Sequence, residues 1–186
     1  MAARLQENFK TKIIPAIKEQ FGIPNPMNLP KVTKICVSMG MGEYHSDAKK
    51  IEQCAQELSV ITGQKAVITR AKISEAGFKL RQGMPIGVRV TLRGQRMWEF
   101  FDRFLSVAAP RIADFRGFSR TGFDQAGNYS FGITEQSLFP EVNLDKMEVT
   151  QGMNINVVFE NSKPEVSESV LEQLGFPFTR KQEKRA

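Results

Sequence analysis

The sequence predicts an α+β fold: a largely antiparallel sheet with helices packed on one face and a long basic loop between two strands. Three observations carry this. Helical and strand periodicities interleave irregularly along the 186 residues instead of alternating one for one. The strand candidates alternate apolar and polar residues, as a half-exposed antiparallel sheet does. A sixteen-residue stretch, 70–85, separates two strand patterns yet carries neither period.

Arg4 to Gln20 reads as an amphipathic helix, with Leu5, Phe9, Ile13 and Ile17 at four-residue spacing before the breaker Gly22-Ile23-Pro24-Asn25-Pro26. Lys31 to Met39 reads as a strand with Ile35, Val37 and Met39 on one side and Lys34, Cys36 and Ser38 on the other. Gly40-Met41-Gly42 turns the chain. Ser46 or Asp47 caps a helix to about Ile61, with Ile51, Cys54, Ala55, Leu58 and Ile61 inward and Gly63 closing it. Ala66 to Thr69 and Gly87 to Arg93 are strands. Gln95 to Ala109 is a helix lined by Met97, Phe101, Phe104 and Ala108, its outer charges Arg96, Glu99 and Arg103 spaced to pair with one another; Pro110 stops it. Residues 111–128 read as a basic loop. Tyr129 to Ile133 and Met147 to Phe159 are strands, the second interrupted near Gly152. Ser162-x-x-Glu165 is a capping box for a last helix that ends at Gly175. Residues 1–178 are expected to form one domain with an extended loop at 70–85, and 179–186 a disordered tail.

If helices cover one face, alternation names what the other presents. Arg89, Thr91 and Arg93, Asn154 and Asn156, Ser130, Gly132 and Thr134, and Lys34 and Ser38 all fall on the open side. Arginine and lysine meet phosphates, while amides and hydroxyls bond 2′-hydroxyls and base edges. The face lacks the aromatic pairs that stack single-stranded bases, which favours folded RNA. An ordinary solvated face satisfies the same pattern.

Charge narrows the choice. The net charge is +6, with a pI near 9.4. Lys65 to Arg120 holds twelve basic residues against four acids, an excess of eight, so the remainder of the chain is negative by two. The polyanion-facing surface is therefore local. Loop 70–85 carries Arg70, Lys72, Lys79 and Arg81 against Glu75, with Gly77 and Gly83 permitting close backbone approach and Phe78 able to stack or anchor. A solvated, mobile loop is the alternative.

Catalytic readings find little purchase. Gly40-x-Gly42 lacks the third glycine of a dinucleotide fingerprint, with His45 standing there. That histidine is the only one, no Cys/His cluster marks a zinc site, and the carboxylates are scattered. No enzyme, cofactor or metal is expected. Cys36 and Cys54 read as reduced core or near-core residues of a cytosolic protein. The first residues lack the apolar region of a signal peptide, and no apolar run is long enough to cross a membrane.

Several runs resemble one family. Gly63-Gln-Lys-Ala-Val-Ile-Thr-Arg-Ala-Lys, Ala76-Gly-Phe-Lys-Leu-Arg-Gln-Gly-Met-Pro-Ile-Gly and Val90-Thr-Leu-Arg-Gly are similar to bacterial large-subunit ribosomal protein five. So are Met97-Trp-Glu-Phe-Phe-Asp-Arg, Asp114-Phe-Arg-Gly, Gly127-Asn-Tyr-Ser, Glu135-Gln, Phe139-Pro-Glu and Leu174-Gly-Phe-Pro-Phe. The resemblance implies a ribosomal protein that binds 5S rRNA and helps attach it to the central protuberance. It also implies contacts with 23S rRNA, with small-subunit protein thirteen and with other 5S-associated large-subunit proteins. The family's 5S-facing residues map to Ser38, Gln64, Thr91 and Arg93, to which the open face and the loop's root add Lys34 and Arg70. The loop implies contact with P-site tRNA through Lys72, Phe78, Lys79, Arg81, Gln82 and Gly83. Where Ser38 stands the family commonly has Asn. Ile73, Ala113 and Thr134 replace usual basic residues, and Glu75 an apolar one. A general RNA chaperone or an RNA-modifying enzyme using the same basic face is the competing expectation.

Overall fold

The computed structural model describes residues 3–179 apart from 45, 145 and 146. The sheet has five antiparallel strands: β1 (Lys31–Gly40), β2 (Val67–Arg70), β3 (Pro85–Leu92), β4 (Tyr129–Ile133) and β5 (Met153–Glu160), in the order β2-β3-β1-β5-β4. The α+β reading holds. Ile35, Val37, Met39, Val88, Val90, Leu92, Tyr129, Ile155 and Val157 are all buried on one face, beneath the helices. Helix α3 (Ala48–Thr62) lies over β3 and β2, and α4 (Gly94–Arg103) against β1; α5 (Pro164–Gln173) packs beside the N-terminal helix.

The N-terminal helix departs from the expected single α-helix. It runs as α1 (Arg4–Asn8), a π-helical turn (Phe9–Ile13) and α2 (Ile14–Phe21). A second π turn, Phe104–Ala108, continues α4 before the chain passes Pro110. Both π turns end two residues before a proline, Pro15 and Pro110. A proline has no N–H, and its ring crowds the carbonyl four residues back. Widening the preceding turn accommodates that crowding. The two helices meet at Phe9 and Trp98, whose ring centres lie 5.1 Å apart.

Cap chemistry differs as well. Helix α3 starts after Asp47, but that side chain makes no capping bond. The Ser162–Glu165 box does not form: Lys163 is the N-cap, Pro164 opens α5 with its preset φ, and the Ser162 hydroxyl bonds that of Ser167. The C-terminal signal is correct: Gly175 adopts φ 85°, with its N–H on Glu172 and that of Phe176 on Leu171, a Schellman closure. The outer charges of α4 do not pair among themselves. Glu99 accepts from Gln95 at 2.7 Å, and Arg103 turns to Glu141 at 2.6 Å and the Ile61 carbonyl at 2.9 Å.

Two stretches are better ordered than their sequence implied. Residues 111–128 lack strand or helix periodicity, yet Phe118 and Phe123 fold onto β4, with Phe118–Phe131 at 4.8 Å and Phe123–Tyr129 at 4.5 Å. Thr179, assigned to the tail, donates its N–H to Phe118 and its hydroxyl to Gly117; positions 180–186 lie outside the described residues, as does His45. The last strand begins at Met153, not Met147. Before it, the fully buried Gln136 bonds the Val149 carbonyl at 2.6 Å and accepts from the Gln151 N–H. That amide satisfies the backbone of a segment the sheet leaves out.

Candidate nucleic-acid interface

The pairing register assembles the open face into rows. One row runs Val67, Arg89, Ser38, Asn154, Gly132 across all five strands; the next runs Thr91, Cys36, Asn156, Ser130. Alternation is the cause, since each of these residues on β1, β3, β4 and β5 follows or precedes one whose side chain is buried in the core, and Val67 lies between half-buried Ala66 and Ile68. Cys36 thus sits on this face, where alternation places it, half-buried and 3.8 Å from the Thr91 hydroxyl. Cys54 is buried in α3, where burial first and Glu57 second push its thiol up to about 11.

Ser38 and Thr91 are half-buried and lie in adjacent rows. Gln64, half-buried between α3 and β2, donates to the Thr91 carbonyl at 3.3 Å, which places its amide beside that row. Lys34 is half-buried on β1 one row further along, and Arg93 is exposed where β3 passes into α4. These five expected residues therefore share one surface. Sequence reasoning placed Arg89 on this face without including it in the site; the structure sets it between Val67 and Ser38, exposed.

Three arginines elsewhere are engaged. Arg4 pairs with Asp102, Arg103 with Glu141, and Arg120 with Glu168 and Glu172. Among the described residues, no ion pair forms at Lys34, Arg89 or Arg93. The carboxylate on the strands of this face is Glu160, at the far end of β5 opposite Lys31. Uncompensated cations over a sheet of amides and hydroxyls are suited to phosphates and sugar edges.

Loop 70–85 is not structureless. It is a hairpin connection whose stem continues past β2 and β3. The Ala71 N–H bonds the Met84 carbonyl at 2.8 Å, and the Gly83 N–H bonds that of Ala71 at 2.9 Å. Further out, Glu75 and Leu80 exchange both backbone bonds at 3.0 Å around a tip of Ala76, Gly77, Phe78 and Lys79. The Gln82 N–H donates to the Ser74 hydroxyl at 2.9 Å, and the Arg70 guanidinium to the Gly83 carbonyl at 2.9 Å. Arg70 is thus a strap across the loop's root as well as a cation. The tip projects: Phe78 is 73% and Ile73 78% exposed, and Lys72, Lys79, Arg81, Gln82 and Gly83 are exposed beside them. Lys79 adopts φ 55°, a left-handed conformation that a glycine would hold at lower cost.

Among the described residues no cluster of His, Cys, Asp and Glu side chains is placed to hold a metal. No helix there is long and apolar enough to cross a membrane.

A sheet bare on one face, cationic and amide-rich there, with a structured basic hairpin at one edge, defines an RNA-binding scaffold protein. Known proteins give the particular case. A family described as ribosomal protein L5 matches residues 25–81, and the ribosomal L5P family C-terminus matches residues 85–178. Large ribosomal subunit protein uL5 of Thermobifida fusca is 53% identical over 175 residues, 94% of this chain and 92% of its own. That of Rubrobacter xylanophilus is 48% identical over 176 residues, 95% of this chain and 98% of its own. That of Cupriavidus taiwanensis is 49% identical over 178 residues, covering 96% and 99%. The chain belongs to the ribosomal protein L5 family. It is a structural, rRNA-binding protein of the large ribosomal subunit, ribosome-bound in the cytoplasm, and not an enzyme.

Proposed function

We propose that the open face binds 5S rRNA and helps attach it to the central protuberance, with Lys34, Ser38, Gln64, Arg70, Thr91 and Arg93 as contacts. The supporting observation is the cationic surface around Ser38, where among the described residues Lys34, Arg89 and Arg93 form no ion pair, while Arg4, Arg103 and Arg120 elsewhere are paired with carboxylates. Arg70 offers its remaining N–H groups to RNA while one holds the loop. The projecting hairpin, through Lys72, Phe78, Lys79, Arg81, Gln82 and Gly83, contacts the P-site tRNA. Its support is a backbone-braced tip that exposes an aromatic ring among cations. The family resemblance also supports contacts with 23S rRNA, small-subunit protein thirteen and other 5S-associated large-subunit proteins.

Salt titration tests the first assignment. With roughly six phosphates neutralised, log affinity for 5S rRNA falls with log salt at a slope of about −5. Equal affinity for an unrelated folded RNA makes the protein a general RNA binder instead.

A further inference from the structure

We propose that the outer edge of β2, with the groove between that edge and α3, is a docking site for an extended, acidic segment of a partner protein, which joins the sheet as a further strand. The site lies outside the open face and goes beyond the RNA-binding role.

The two edges of the sheet differ. β4 is closed on its outer side by the chain before it: the Ser130 N–H bonds the Gly122 carbonyl, and Phe123 bridges Tyr129. β2 pairs with β3 on one side, and among the described residues no backbone segment covers the other. Alternation tells which groups stand there. Ala71 directs both its backbone groups inward, to Met84 and Gly83, so those of Ile68 and Arg70 face out. The register shift skips Ile86 on β3 and leaves the alternation along β2 unbroken. Ala66, of the same parity as Ile68, sends its N–H outward to the Ser59 hydroxyl of α3 at 2.9 Å. The open ladder therefore begins at Ile68.

Beside this edge runs a groove of about 450 Å³, lined by Ala55, Gln56, Ser59 and Val60 of α3 and by Ala66 and Ile68. Val60 is 55% exposed there, and on the opposite face of β2 Val67 is 58% exposed. A strand laid along Ile68 and Arg70 thus meets apolar side chains on both of its faces. An edge guarded only against aggregation needs charges but no such groove. Strand addition draws affinity from the backbone ladder and specificity from pockets beside it. RNA has no peptide ladder to offer.

Charge selects the occupant. Residues 65–74 carry Lys65, Arg70 and Lys72 and no acid. Among the described residues none of these three is in an ion pair. The groove's far wall adds one carboxylate, Glu52. A second copy pairing edge to edge would set these cations against their own kind, which destabilises a strand pair. A segment with Asp or Glu flanking an apolar run meets them with opposite charge.

The probe is the peptide acetyl-Glu-Val-Ile-Val-Thr-Glu-amide, titrated into the full-length protein with amide hydrogen exchange followed by NMR. At saturation Ile68 and Arg70 are expected to exchange about tenfold more slowly, with Val67 and Thr69, whose groups face β3, unchanged. The same peptide with lysines for its glutamates is expected to bind about tenfold more weakly. So is a peptide N-methylated at the amides that face β2. Lys65→Glu, at an exposed position, is expected to invert the preference between the acidic and basic peptides, and Val60→Asn to weaken both about threefold. No binding of the acidic peptide at millimolar concentration, unchanged exchange at Ile68 and Arg70, or equal binding of the acidic, basic and N-methylated peptides overturns the proposal. A 5S rRNA transcript that slows the same two amides also overturns it and makes the edge part of the RNA surface. A concentration-dependent dimer that slows them without peptide overturns it in favour of a second copy.

Discussion

At the scale of single residues, the two cysteines report the two sides of the sheet. Cys36 is half-exposed in the middle of the open face, and Cys54 is buried with its thiol pushed up to about 11. Native protein treated with a thiol reagent near neutral pH is expected to label at Cys36 alone, and bound 5S rRNA to suppress that labelling; mass spectrometry of the modified peptides checks both. Tyr129 reports the core. Its hydroxyl donates to the Ser119 carbonyl at 2.7 Å, and burial, opposed by Arg120, pushes its pKa up to about 12. A raised acid pKa means the folded state favours the neutral phenol. Its contribution is complete below the ordinary value near 10 and disappears as pH rises through about 12. Tyr129→Phe is expected to cost about 1 kcal/mol at pH 8, the worth of one hydrogen bond. Urea melts across the alkaline range should show that difference closing between pH 10 and 12.

At the scale of elements, the loop is where sequence and structure diverge most. Its residues carry no period because its order comes from backbone pairs and small side chains: Glu75 with Leu80, Gly83 with Ala71, Gln82 with Ser74. None of these leaves an apolar signature. The expectation of a mobile segment therefore becomes a graded one, with bonded amides at Ala71, Glu75, Leu80 and Gly83 and exposed side chains from Lys72 to Lys79. Arg70→Ala removes the strap at Gly83, worth about 0.5–1.5 kcal/mol. Hydrogen exchange at Ala71 and Gly83 is then expected to accelerate roughly two- to tenfold, with β1 and β5 unaffected; equal rates would show that the strap contributes nothing. The strands were legible because alternation is a direct image of a two-sided sheet, and β4 coincides with its predicted span at Tyr129–Ile133. The π turns were not, because a helix with apolar residues at four-residue spacing looks the same whether one turn is widened or not.

At the scale of the molecule, the open face was legible in kind but not in extent. Lys34, Ser38, Thr91 and Arg93 came from alternation and resemblance together; Gln64 reaches its place only because α3 ends beside β3. The aromatic cluster under 111–128 joins Phe118, Phe131, Phe176 and Phe178, ring to ring, across segments far apart in the chain. Such contacts have no local pattern to read. They also bear on cooperativity. β1 pairs with β3 on one side and β5 on the other, so both matched family segments contribute to one sheet. We expect residues 3–178 to unfold as one unit, with urea transitions followed by Trp98 fluorescence and by circular dichroism coinciding. Two separated midpoints would divide the chain near the loop.

The central place of β1 has a consequence for how the protein is made. A chain emerging from the ribosome at roughly 5–20 residues per second presents Lys31–Gly40 early and Met153–Glu160 late. Until then the longest strand has a partner on β3 alone, and its other edge of backbone N–H and C=O groups stands open. The row from Arg89 through Ser38 to Asn154 does not exist before that moment. A nascent chain has cations but no finished surface, so rRNA capture by the proposed open-face site waits for the last third of synthesis. The strand order thus ties completion of the open face to near-completion of the polypeptide.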